Sequence, residues 1–331
     1  MNYNESQEIL EEIKKAKQIL VNCHRGPDPD SVGSALALSR VLENLGKEVK
    51  VVCPGEELPQ NLKFLNGFDK IELIDFSTFD FSKFDLFITL DSANWYMVSG
   101  SKDIPLPKLP ILAIDHHLTN ERYGKTNLVD IKVSSTAELL YRILGDLGIK
   151  IDVETASCLL VGVISDSGGF MYPGVGISTF EVAAKLIEAG ANKDKIVFNI
   201  LGIDFRLLKS WGKIIENAQM DQAGKFYWSA ISHKIFVEMG EPEAAKDTFA
   251  STFGQTVDAT DFSIVMVEQK PRDLRISFRS RTDFDSSNIA VALGGGGHRA
   301  ASGARVVGLP FEDAVKKVLE TARRFINENK I

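Results

Sequence analysis

The sequence predicts an α/β protein in two parts: an N-terminal domain built on a parallel sheet with helices on both faces, then a smaller mixed α/β domain. Three observations carry that prediction. The chain has 331 residues, a length that suits two domains of about 150 residues each. In its first half, short apolar runs are separated by helical periodicity, the pattern of strands buried on both faces. From about residue 225 the runs alternate apolar and polar instead, like half-exposed strands. The expected layout is a first domain over 1–190, a helical connection over 191–220 and a second domain over 221–331.

Taken in order, residues 18–23 (QILVNC) read as the first buried strand. A polar loop leads to helical periodicity over 34–45, stopped by Gly46. The next strands are 48–53, closed by Pro54 and Gly55, then 85–90, ending at Asp91, and 110–114, ending at Asp115. Residues 135–138 (STAE) have capping-box spacing and open a helix through Leu144. The run 156–164 is apolar throughout, so its period leaves helix and strand both open. Residues 178 to about 218 are helical. Strands follow at 225–232, 262–268 and 274–279, with helices over 242–253 and 311–327. His233 reads as an ordinary strand residue.

Composition narrows the class. With 44% hydrophobic and 25% charged residues, the chain is neither disordered, collagen-like nor a disulfide scaffold. Its 38 Lys and Arg against 45 Asp and Glu leave a net charge of −7. That balance argues against coating long nucleic acid, which needs broad positive surface, but accommodates a short nucleotide in a locally basic cleft. Cys23, Cys53 and Cys158 lack C-x-x-C spacing and read as buried free thiols of a reducing cytoplasm. The amphipathic N-terminus carries acids early, unlike a targeting peptide, and no apolar run approaches a membrane span. A cytoplasmic protein without membrane contact is expected.

The chemistry lies at strand ends. The first strand runs into His24-Arg25-Gly26-Pro27-Asp28-Pro29-Asp30. Two prolines push the residues before them toward extended conformations, in which Asp28 and Asp30 would project to the same side. Alone, this could be a solvated acidic loop. Yet Asp91 ends another strand, Asp115-His116-His117 follow a third, and Asp166 lies in Ser-Asp-Ser-Gly-Gly. Open parallel sheets bind ligands at the carboxyl ends of their strands, so these groups should meet on one edge. Carboxylates and imidazoles without thiolates suit Mn²⁺ or Mg²⁺. So many carboxylates converge only if cations offset their repulsion. Two divalent ions about 3.5–4 Å apart can activate a water and clamp a phosphoryl oxygen. No G-x-S-x-G elbow is present.

In the second domain, Gly294 to Gly297 precede His298 and Arg299. Such a run can form an anion-binding nest, or be a linker or helix cap. Upstream, Lys270, Arg272, Arg275, Arg279 and Arg281 against Asp273 make a local charge of +4 over 270–281, which either solvates an edge strand or meets phosphate.

These motifs, HRGPDPD (24–30), the strand-terminal Asp91, DHH (115–117) and the Asp166 segment, resemble the DHH phosphoesterase family in order and placement. FRSR (278–281) and GGGGHRAASG (294–303) are similar to the DHH-associated C-terminal domain, and the whole set resembles the nanoRNase and phosphoadenosine-phosphate phosphatase branch. The resemblance implies a phosphoesterase with its catalytic cleft between the two domains. It implies one metal on His24, Asp28 and Asp91, and another on Asp30, Asp91, His116 and Asp166, with Asp91 bridging. Asp91, Asp115, His116 and His117 form the implied catalytic group: Asp115 supports the histidines and His117 faces the phosphoryl group. Arg279, Gly295, Gly296, Gly297, His298 and Arg299 would bind substrate together with His117. The family's Gly and Ala are replaced here by Pro29 and Ser31, which leaves the ligand positions intact.

The implied cofactor is a pair of Mn²⁺ ions, with Mg²⁺ or Co²⁺ as substitutes. The implied substrates are pApA, pAp and oligonucleotides of two to five residues, not long duplexes; a homodimer is the general expectation. Three alternatives stay open: an inorganic pyrophosphatase, a single-strand exonuclease and a non-catalytic nucleotide-binding module. The glycine- and arginine-bearing second domain disfavours the first, the compact acidic chain the second, and the complete ligand set the third.

Overall fold

The computed structural model describes residues 3–55, 57–172, 174–242 and 244–328. Its contacts divide the chain into two units, 1–202 and 203–331.

The first unit holds six parallel strands: β1 (Gln18–Asn22), β2 (Glu48–Pro54), β3 (Glu72–Ile74), β4 (Leu86–Leu90), β5 (Ile111–Asp115) and β6 (Thr126–Val129). Among the described residues seven α-helices accompany them: α1 (Glu5–Lys15), α2 (Pro29–Asn44), α3 (Trp95–Ser99), α4 (Thr136–Asp146), α5 (Val153–Asp166), α6 (Ile177–Glu188) and α7 (Lys193–Ile200). The strand order is β3-β2-β1-β4-β5-β6. The connection direction reverses between β1 and β4, which opens a crevice at their carboxyl ends. Alternation along the strands separates two cores. Ile19, Val21, Ile88 and Leu90 face the helices α1, α2, α4 and α5, whereas Leu20 and Phe87 face Val98 of α3 and Phe76. The apolar run 156–164 is helical, within α5. It crosses α2 so closely that a Cβ on Gly33 would lie 2.4 Å from the Cys158 carbonyl oxygen. All three cysteines are free and buried.

The second unit is built on β7 (Ala218–Asp221), β8 (Phe226–Ile231), β9 (Phe262–Lys270), β10 (Asp273–Ser280), β11 (Gly296–Gly297) and β12 (Ala301–Val307). Their order is β11-β12-β10-β9-β8-β7, with β8 and β9 parallel and the other pairs antiparallel. The helices are α8 (Phe205–Glu216), α9 (His233–Glu238), α10 (Ala245–Phe253), α11 (Ser287–Ala292) and α12 (Phe311–Glu328). Ile264 and Met266 of β9 pack with α11 and α12 on one face, Val265 and Val267 with α8, α9 and α10 on the other.

The helical stretch 191–220 is shared between the units: Ile196 of α7 joins the first core, and Trp211 and Ile214 of α8 join the second. His233 is not a strand residue. It opens α9, where its backbone N–H donates to Glu268 Oε2 at 2.9 Å.

Candidate functional site

The crevice between β1 and β4 collects the predicted metal-ligating residues. His24 follows β1, Asp91 follows β4, and Asp115 ends β5 just before His116 and His117. Asp166 is the last residue of α5.

Asp28 and Asp30 depart from the extended arrangement expected for them. Pro29 occupies the first position of α2, where a missing N–H is no loss and its fixed φ favours the helix. Asp28 becomes the N-cap, accepting from the Ser31 N–H at 2.9 Å, and the Ser31 hydroxyl accepts from the His24 N–H at 2.9 Å. Pro29 and Ser31 thus build the loop that positions His24 and Asp28. The two aspartates enter different groups: Asp28 meets His24 and Asp91, while Asp30 meets His116 and Asp166.

Asp91 lies between these groups. Its Oδ2 is 3.5 Å from His24 Nε2 and its Oδ1 is 3.5 Å from His116 Nε2. Its φ of +51° is a left-handed conformation that is costly for a residue with a Cβ and gathers at functional sites. The Thr136 hydroxyl donates to Asp91 Oδ1 at 3.1 Å. His24 Nε2 is 3.6 Å from Asp28 Oδ2, and His116 Nε2 is 3.3 Å from Asp166 Oδ2.

Asp115 serves His117. Its Oδ1 is 2.6 Å from His117 Nδ1 and its Oδ2 accepts from Asn120 Nδ2 at 2.6 Å. A carboxylate only accepts, so Nδ1 carries the proton and the ring is fixed in plane and tautomer.

Asp30 is fully buried. Its oxygens accept from the Thr136 N–H at 2.7 Å and the Ala137 N–H at 3.0 Å, the positive end of α4. A Cβ on Gly162 of α5 would lie 2.2 Å from Asp30 Oδ1 and 2.6 Å from the Ala137 Cβ. Thr136, Gly162 and Asn120 are the supporting residues that motif reading passes over. The capping box marked the N-terminus of α4, and a glycine inside an apolar helical run signals close approach.

The donor set fits divalent cations. Burial and the charges of Asp91 and Asp166 push Asp30 well above the usual carboxylate range. Burial and the neighbouring aspartates raise Asp166 to about 6, against the pull of His116. Burial would raise Asp91 too, but His116 and His24 hold it well below the ordinary value. Without cations, this cluster relieves its repulsion by holding protons. The buried His116 Nε2 faces two carboxylates yet hydrogen-bonds to neither, as suits a nitrogen placed to share a metal with them.

In the second unit, a trough of about 640 Å³ runs over β10 and β12, walled by Lys246 and Asp247 of α10 and by Gly294 to Gly297. Arg279 lines it. Its guanidinium donates to the Phe278 carbonyl at 2.9 Å and the Ser251 hydroxyl at 3.0 Å, and its Nε is buried without a partner. Gly295 and Gly297 pack against β12, where a Cβ would lie 2.1 Å from the Gly303 oxygen and 2.6 Å from the Ser302 Cα, whereas Gly296 opens onto free space. His298 and Arg299 do not line the trough. The His298 N–H is tied to the Ala301 carbonyl at 2.8 Å, and Arg299 pairs with Asp283 at 2.9 Å.

This combination of sheet, strand-end aspartates and histidines and glycine-rich second unit defines a metal-dependent hydrolase family. Residues 18–163 match the family model described as DHH family, N-terminal domain, and residues 231–328 match the DHHA1 domain. The chain belongs to the DHH phosphoesterase family and is a hydrolase of phosphate esters. Among its curated relatives, the bifunctional oligoribonuclease and PAP phosphatase NrnA of Thermus thermophilus is 30% identical, over 97% of this chain and 94% of its own length. The Bacillus subtilis protein of that name is 26% identical over 95% and 97%. A crystal structure described as an exopolyphosphatase-related protein from Bacteroides fragilis shares the fold, with a TM-score of 0.89 and 24% identity over 99% of this chain and 98% of that one. No helix among the described residues is long and apolar enough to cross a membrane.

Proposed function

We propose that this protein hydrolyses short oligoribonucleotides and the 3′-phosphate of adenosine 3′,5′-bisphosphate (PAP), using two Mn²⁺ ions. The observation that carries the proposal is the position of Asp91, whose two oxygens face two separate carboxylate–imidazole groups. One ion is assigned to His24, Asp28 and Asp91, the other to Asp30, Asp91, His116 and Asp166. When bound, such a pair supplies Lewis-acid polarisation of a phosphoryl oxygen and a water of lowered pKa.

The chain's own groups account for the rest. Thr136 and the N-terminus of α4 fix Asp91 and Asp30, so the ligands need little rearrangement. Asp115 holds His117 in one orientation. We assign that imidazole to the phosphoryl oxygen, where a protonated ring offsets developing negative charge. Burial lowers the affinity of His117 for a proton, but Asp115 and Asp91 outweigh it and raise its pKa. Arg279 and Gly296 are assigned to a substrate phosphate, since a guanidinium fork and an open backbone amide suit its oxygens. The NrnA relatives, named as oligoribonucleases and PAP phosphatases, support this choice of substrates.

The test is a side-by-side assay with Mn²⁺ on PAP, pApA, a 5′-phosphorylated pentaribonucleotide and pyrophosphate. Release of phosphate from PAP and of mononucleotides from pApA and the pentamer is expected, with pyrophosphate spared. Turnover of pyrophosphate alone would overturn the reading.

A further inference from the structure

The trough in the second unit carries more charge than one phosphate needs. Along β10, Arg275, Ser277 and Arg279 all line it, because alternate residues of a strand share a face. Two of its cations are already offset. Arg305 holds Asp273 through two bonds of 2.7 Å. Lys246 pairs with Asp247, and its ammonium also meets the Ser277 hydroxyl at 2.5 Å. Arg275 is different: it is exposed, stands opposite Arg305 in the strand register, and has no ion-pair partner among the described residues. Arg279 has no carboxylate partner either, and its buried Nε is unmatched. The uncompensated positive charge of the trough therefore sits at two points, four residues apart on one strand.

At ~3.3 Å per strand residue their Cα atoms are about 13 Å apart, roughly two phosphodiester links of an extended single strand. Phosphates two links apart on one strand match that spacing. Between them Ser277 stands opposite Gly303, and its hydroxyl carries the Lys246–Asp247 pair, which adds no net charge between the two arginines.

We propose that Arg275 is a second phosphate anchor that reads substrate length: chains of three or more nucleotides engage both arginines, whereas PAP and dinucleotides engage Arg279 alone. This rests on the oligonucleotide reading above and adds a length-determining residue to it. Arg275 lies outside the groups assigned to the phosphate undergoing hydrolysis, so its loss should spare the shortest substrates.

The test measures dissociation constants of the full chain, in chelator, for PAP, pApA, pApApA and pApApApA, together with KM values in Mn²⁺. Arg275→Gln is expected to weaken the tri- and tetranucleotides roughly tenfold and leave PAP and pApA within about twofold; the salt slope for the trinucleotide should fall by about one contact. Arg275→Lys should recover most of the loss. Equal weakening at every length, or none at any length, would overturn the anchor while wild-type hydrolysis of the same substrates upheld the oligonucleotide reading. A wild-type chain that neither binds nor hydrolyses them would overturn both.

Discussion

Asp91 combines a left-handed backbone, burial and proximity to two histidines, so the proposed two-ion centre depends on it. Asp91→Ala should abolish Mn²⁺-dependent hydrolysis while far-UV circular dichroism stays unchanged; near-normal turnover of pApA would remove the shared-ligand scheme. Gly162 offers a subtler probe. In an exposed helix Gly→Ala adds up to about 1 kcal/mol of stability, but here the methyl would lie 2.2 Å from Asp30 Oδ1. Gly162→Ala should therefore weaken metal binding about 10–100-fold, as loss of ligand support does, measured by Mn²⁺ titration. Residues of this kind explain what the sequence left hidden. His24, Asp91 and the Asp115–His117 triplet were legible because each directly follows or ends an apolar strand. Thr136 and Gly162 were not, since they meet Asp30 or Asp91 only through contacts that span 45 or more residues.

Among the elements, α4 ties the centre to the core. Ser135 caps it, accepting from the Glu138 N–H at 3.0 Å, as the capping-box spacing indicated. Glu138, however, accepts from the Ser134 N–H at 3.0 Å and from Arg142 one turn on, and also from Ser178 and Thr179, two partners that local pattern cannot supply. Burial would raise the Glu138 carboxyl, but the Ser134 bonds and those of Thr179 and Ser178 outweigh it and hold it below its ordinary value. The sign follows: the carboxylate contributes stability above the unfolded pKa of about 4.3, and that contribution is lost as pH falls through the lower folded value. Urea unfolding of wild type and Glu138→Gln should differ most at neutral pH, and the difference should shrink as pH falls below the unfolded value. A constant difference across that range would show that the charge is not responsible. The strands were read best where apolar runs are short and bounded. β12 escaped because Gly303 and Arg305 break its alternation, and α2 starts earlier than its periodicity because Asp28 and Pro29 form its cap.

For the whole molecule, the division into two units was visible in the change of hydrophobic period, and the order of motifs along the chain is that of the DHH and DHHA1 domains. The net charge of −7 now has a local meaning. Asp28, Asp30, Asp91 and Asp166 concentrate negative charge that cations would offset, while Arg275 and Arg279 leave the second unit's trough positive. Cations binding only the folded first unit should stabilise it by about 2.7 kcal/mol at a hundredfold excess over Kd. Peptide-resolved hydrogen exchange should show Mn²⁺ protecting β1, β4 and β5, with β9 and β10 unchanged. The most direct test of the paired centre is a Mn²⁺ titration of the full chain by calorimetry, with pApA hydrolysis followed at each stoichiometry. Two ions per wild-type chain, activity that rises with the second, and loss of the pair in Asp91→Asn are predicted; full activity with a single bound ion would contradict the account.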